Sequence, residues 1–232
     1  MKKILTFLIV ILSVLLIYIG LKDKKIYYLS IGDSLSMGIT PYNNFDYGYS
    51  DYIKDYLQEQ NLLEVYVNLG DNNKRITDII SDIENNINII VDNKNKTFQN
   101  ALIKADLITI SIGNNDLLSN IKINEEFSIV DLYDKFDQIL IDYEKLFSLL
   151  RKYCKENIFI LGLYNTINHD NIDDFFKYAN SELKKLCDKY EIQFVDIYEE
   201  FNNESYFSNP NSKIPNKEGY KIISEKIKQM LK

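Results

Sequence analysis

An α/β protein with a five-stranded parallel sheet, helices covering both faces, is predicted by three observations. Five apolar runs of strand length alternate with stretches of helical periodicity. The first three runs each end at a glycine followed by polar residues. No internal repeat or low-complexity linker interrupts the chain after residue 25.

In order, residues 25–31 (KIYYLSI), 63–69 (LEVYVNL), 106–112 (DLITISI), 157–163 (NIFILGL) and 192–197 read as strands. Residues 49–58 and 76–83 read as helices, and 86–104 as a loop followed by another helix. The longest helix is expected over 127–154. There Phe136, Ile139, Tyr143, Phe147, Leu150 and Cys154 recur at steps of three and four and share one face. Helices over 172–190 and 217–231 follow; in the second, Tyr220, Ile223, Ile227 and Met230 form one face. Parallel neighbours require crossovers, which are right-handed. Ligands of such sheets bind beyond the carboxyl ends of the strands.

Composition narrows the function classes. The chain has 232 residues, 46% apolar and 26% charged, enough for one sizeable core. Its net charge is −7, so nucleic acid is not expected as a partner. Two cysteines exclude a disulfide scaffold. Cys154 and Cys187 fall on apolar helix faces and are expected to be buried free thiols. A single histidine, His169, excludes a His-rich metal site, and no cofactor or metal is expected. Asp173 and Asp174 open a predicted helix, where acids suit the helix dipole.

Residues 1–25 stand apart. Ile4 to Leu21 is an uncharged run of 18 residues preceded by Lys2 and Lys3. At about 1.5 Å per residue it reaches about 27 Å, close to a bilayer core. It lacks the small-x-small ending of a cleaved signal peptide, and no lipidation cysteine follows. We therefore expect residues 1–25 to be an uncleaved signal anchor with one transmembrane helix, and 26–232 to be the globular domain. Lysines flank both ends of the run, so the positive-inside rule gives little contrast. The expected place is the cell membrane, single-pass, with the domain outside the cytoplasm.

Chemistry is sought at the strand ends. Only eight glycines occur, and three sit there: Gly32-Asp33-Ser34-Leu35, Gly70-Asp71-Asn72-Asn73 and Gly113-Asn114-Asn115-Asp116. Glycine admits positive φ or close backbone approach. Phosphate-loop and dinucleotide patterns are absent. An EF-hand from Asp71 fails for want of glycine at its sixth position.

The stretch Ile31-Gly32-Asp33-Ser34-Leu35-Ser36-Met37-Gly38 resembles the first block of the SGNH (GDSL) hydrolases. Asn68-Leu69-Gly70 resembles the second block and Gly113-Asn114-Asn115-Asp116 the third. The order holds along residues 26–232. The resemblance implies a flavodoxin-like, three-layer α/β/α sandwich. It implies Ser34 as nucleophile, with the Ser34 and Gly70 backbone N–H groups and the Asn115 side-chain amide as oxyanion hole. Preorganised donors of that kind are worth about 2.7–4 kcal/mol each. The implied activity is hydrolysis of ester-linked acyl groups on a small molecule, glycan or lipid.

The fourth block departs from the family. A serine hydroxyl needs a base to take its proton, and the family supplies histidine in a DxxHP pattern. Here the stretch reads Asn211-Ser212-Lys213-Ile214-Pro215, followed by Gly219-Tyr220. Ile214 stands at the histidine position and Asn211 at the aspartate position. His169, after the fourth strand, and Lys213, beside the lost histidine, are the substitute bases on offer. A lysine base requires burial, and Lys213 is expected to be exposed. Two readings stay open: a hydrolase with impaired activity, or an inactive member binding an acylated glycan or a protein partner. Tyr27, Tyr28, Tyr42, Tyr47, Tyr49 and Tyr52 cluster near the first block, either as packing or as rings that stack on a sugar or line an acyl pocket.

Overall fold

The computed structural model describes residues 24–119, 129–165, 172–202, 204–209 and 212–231. Five strands form one parallel sheet: β1 (Ile26–Gly32), β2 (Leu63–Gly70), β5 (Leu107–Ser111), β6 (Asn157–Leu161) and β7 (Gln193–Val195), in the order β2-β1-β5-β6-β7. This is the predicted five-stranded sheet. The register sets Gly32 opposite both Gly70 and Ser111, so three strands end side by side.

Helices cover both faces. On one side lie α2 (Tyr49–Glu59) and α8 (Lys217–Met230), whose Tyr49, Ile53, Leu57, Tyr220, Ile223 and Ile227 are buried against Tyr28, Leu107 and Phe159. On the other lie α3 (Ile76–Glu84), α4 (Phe98–Lys104), α6 (Ile129–Tyr153) and α7 (Ile172–Lys189), packed on Leu29, Ile31, Ile108 and Ile110. Alternate residues of β1 thus point to opposite layers, as the strand's period of two requires. The predicted stripe on α6 is buried from Phe136 to Leu150. Two short helices, α1 (Ser34–Met37) and α5 (Asn114–Leu118), start immediately beyond the glycines that end β1 and follow β5.

Residues 86–104 differ from expectation. A hairpin, β3 (Asn88–Val91) and β4 (Lys94–Thr97), precedes α4. Its two-residue turn, Asp92-Asn93, has φ of 48° and 58°, the left-handed pair that suits a tight hairpin. Strand β7 is shorter than its apolar run. Cys154 and Cys187 are buried free thiols, as expected. Asp173 and Asp174 lie in the first turn of α7, where Asp173 accepts from the Tyr198 hydroxyl at 2.7 Å. Among the described residues no group of side chains is arranged to hold a metal ion. The anchor expected over residues 4–21 lies outside the described residues; among those described, no helix is long and apolar enough to cross a membrane.

Gly32 is required where it stands. Its φ is +135°, and a Cβ there would overlap the Ser111 carbonyl oxygen. Backbone on backbone leaves no side chain to yield. Gly32→Ala is therefore expected to destabilise the fold by more than about 3 kcal/mol, read as a fall in the urea midpoint.

Candidate active site

Ser34 is the first residue of α1 and is partly exposed. Asp33 caps this helix: its side chain accepts Leu35 N at 3.1 Å. The same carboxylate oxygen accepts the Ser111 hydroxyl at 2.7 Å. Ser111 Oγ in turn accepts Ser36 N at 3.0 Å, and Ser36 Oγ donates to Ile31 O at 2.6 Å. The Tyr49 hydroxyl lies 3.0 Å from Ser36 Oγ. A buried chain of hydroxyls therefore supports the turn that presents Ser34. Asp33 is 2% exposed, and burial pushes its carboxyl up from 3.8 to about 6. Sequence reasoning missed this network, whose one local signal is a serine ending the apolar run of β5.

Gly70 ends β2 directly against the Ser34 turn. A Cβ there would lie 2.5 Å from Met37 N and 2.8 Å from Ser36 C. The glycine is needed for close approach, with no positive φ involved. Its N–H donates to Asn68 Oδ1 at 2.9 Å, while Asn68 Nδ2 donates to Ser36 O at 2.7 Å. Asn68 thus clamps β2 to the turn and occupies the Gly70 N–H.

Asn115 lies in α5, beyond Gly113 (φ +110°), where the Tyr143 ring fills the space a Cβ would need. Asn115 Nδ2 donates to Asn72 O at 3.0 Å and Lys74 O at 2.9 Å. Both amide protons are spent on the loop after β2. Of the three predicted donors, only the Ser34 N–H meets no acceptor among the described residues. Asp116, next in the third block, accepts Ile76 N at 3.2 Å and so holds α3; burial raises its carboxyl to about 6.

In the fourth block, the described residues around Ile214 are held by caps and close packing. Asn216 caps α8 by accepting Glu218 N and Gly219 N, each at 3.1 Å. Pro215 is buried, and Gly219 packs so closely on it that a Cβ would lie 2.8 Å from Pro215 Cβ. The Tyr220 hydroxyl donates to Ile39 O at 2.6 Å and reaches Ser34 O at 3.5 Å. Ile214 is partly buried, with its N–H on Ser212 Oγ at 3.2 Å. Lys213 is exposed as expected, its ammonium 5.5 Å from the centre of the Phe207 ring. His169 and Asn211 lie outside the described residues. Among the described residues, no side chain hydrogen-bonds the Ser34 hydroxyl.

The chain belongs to the GDSL-like lipase/acylhydrolase family, whose sequence pattern matches residues 28–227. Among solved structures it is similar to the lipase Lip_vut3 from a goat rumen metagenome: TM-score 0.72 and 21% identity, covering 87% of this chain and 95% of that one. It is also similar to Axe2, an acetylxylan esterase from Geobacillus stearothermophilus, with TM-score 0.65 and 17% identity over 89% of this chain and 94% of that one. No curated protein matches. Family and fold together define an SGNH-type, esterase- or lipase-like hydrolase domain.

The raised carboxyl of Asp33 links stability to pH. A folded-state pKa above the unfolded one favours folding when protonated, so this contribution is full below about pH 4 and lost as pH rises through about 6. The loss by pH 7 is about 3 kcal/mol. Asp33→Asn removes the titration. Urea unfolding between pH 4 and 7 should show wild type losing stability relative to this variant as pH rises.

Proposed function

We propose that the protein hydrolyses ester-linked acyl groups with Ser34 as nucleophile, tethered to a membrane by residues 1–25 and working at an impaired rate. The observation that carries this reading is the placement of Ser34: at the head of α1, at the carboxyl edge of the sheet, its hydroxyl free of partners among the described residues. The tether rests on the uncharged run from Ile4 to Leu21.

Ser34 Oγ attacks the ester carbonyl carbon and loses its proton. The carbonyl oxygen gains the negative charge beside the Ser34 N–H, with Gly70 N–H and Asn115 Nδ2 as further donors once their present acceptors are displaced. Collapse breaks the bond to the leaving oxygen, which takes a proton from water to depart as the alcohol, and leaves an acyl-serine. Water then attacks that ester and releases the carboxylic acid and free Ser34. Ile214 can take no proton, and no titratable side chain among those described bonds the hydroxyl. The proton therefore passes to hydroxide or water from solution. A second reading, an inactive acyl-binding domain, is favoured by one observation: the Gly70 and Asn115 donors are already satisfied within the chain.

Two measurements on the full-length protein test this. With an activated acetyl ester, a Ser34-dependent rate, absent in Ser34→Ala, should rise steadily with pH because hydroxide takes the proton. A plateau with a midpoint near 6.5 would instead assign the base to His169. No difference between wild type and Ser34→Ala would leave the inactive reading. Ile214→His with Asn211→Asp should raise kcat/KM by about 10²-fold or more, since the frame for that base is intact.

A further inference from the structure

The two most exposed aromatic rings among the described residues are Tyr42, at 63%, and Phe45, at 70%. They sit three residues apart in one turn that leaves the Ser34 helix. Ile39 N donates to Ser34 O at 3.1 Å, and Asp46 N returns to Gly38 O at 2.9 Å. The turn is held from within: Thr40 N donates to Asn44 O at 2.8 Å, and Asn43 N to Thr40 O at 3.0 Å. It is also held from across the site. Tyr42 OH donates to Ser208 O at 3.2 Å, and Asn209 Nδ2 to Pro41 O at 2.9 Å. Tyr42 is thus tied to the loop leading to Ile214, the backbone carrying both rings is held between that loop and the Ser34 turn, and nothing among the described residues covers the rings.

We propose that Tyr42 and Phe45 form a stacking platform for the sugar rings of an uncharged glycan that carries the ester presented to Ser34. This rests on the ester-hydrolase reading and names its substrate class. Exposed rings held in place lose little freedom when a flat apolar sugar face covers them. Asn43 and Asn44, between the rings and exposed, offer carboxamides to sugar hydroxyls. A wedge entering lipid would instead bury those two amides without partners. From Ile39 to Ile53 there is no lysine or arginine, while Asp46 and Asp51 are present. An anionic polymer or phospholipid headgroup finds no counter-charge on this turn.

The probe is insoluble O-acetylated xylan, sedimented with the full-length protein in detergent micelles. Wild type should bind. Tyr42→Ala with Phe45→Ala should lower the binding constant about tenfold. Tyr42→Phe with Phe45→Tyr keeps both rings and should keep the binding. Both ring positions are exposed, and an unchanged urea midpoint shows that folding is intact. Binding by the double alanine variant equal to wild type overturns the platform, as does a wild type that stays in the supernatant. Sedimentation reads the rings, whereas the Ser34-dependent ester rate reads the nucleophile, so failure of one is separable from failure of the other.

Discussion

The Asp33 carboxylate, buried between β1 and β5, accepts the Ser111 hydroxyl at 2.7 Å and Leu35 N at 3.1 Å. Its own N–H donates to Ser111 O at 2.9 Å, and its carbonyl accepts Met37 N at 3.0 Å. One residue therefore ends the strand, caps the helix and fastens both to the neighbouring strand. Burying a carboxylate is costly unless its oxygens are hydrogen-bonded; here a hydroxyl and a backbone N–H, both on one oxygen, offset part of that cost, and burial still raises the carboxyl to about 6. The other contacts of the site bear on the same turn. Asn68 reaches Ser36 O, Gly70 lies against Met37, and Tyr220 reaches Ser34 O. Gly32 makes the tie possible, since a side chain there would push β1 away from Ser111.

Frame and proton chemistry are separable in this site. The groups that set the fourth block in place are Asn216, Pro215, Gly219 and Tyr220, joined by caps, packing and one hydroxyl. None of them moves a proton. Ile214, where the family resemblance implies histidine, is an apolar, partly buried side chain in a loop near Tyr164, Phe201 and Phe207, of which Tyr164 and Phe207 are stacked and the other two pairs tilted. The contacts that order this block therefore do not depend on a base at position 214.

What the sequence made legible follows from the range of each interaction. Strand β1, its glycine and the face of α6 are local patterns of period or punctuation, and they read correctly. The β3–β4 hairpin escaped because its strands are four residues long and β4, Lys94–Thr97, carries no apolar run. Its signal was the Asp92-Asn93 turn alone. The Asp33–Ser111–Ser36–Tyr49 network joins residues 78, 75 and 13 positions apart. No spacing rule connects them before the sheet register does. The engagement of Asn115 by the carbonyls of Asn72 and Lys74 is of the same kind: residue type announced a donor, and only the fold shows what it already donates to.

That engagement does not by itself make an oxyanion hole inert. The acceptors now holding Gly70 N–H and Asn115 Nδ2 are neutral oxygens. A developing oxyanion is charged, and charge-assisted hydrogen bonds are about twice as strong as neutral ones. On the hydrolysis we propose, exchange of partners becomes favourable as charge appears on the substrate, and donors of this kind favour the transition state over the ground state. Asn72 and Lys74 belong to the turn between β2 and α3, so an exchange at Asn115 leaves the sheet untouched. No such adjustment supplies a base at Ile214, because an aliphatic side chain has nothing to accept a proton in any rotamer. On the hydrolysis we propose, the step that limits turnover is removal of the Ser34 proton, and charge stabilisation comes second.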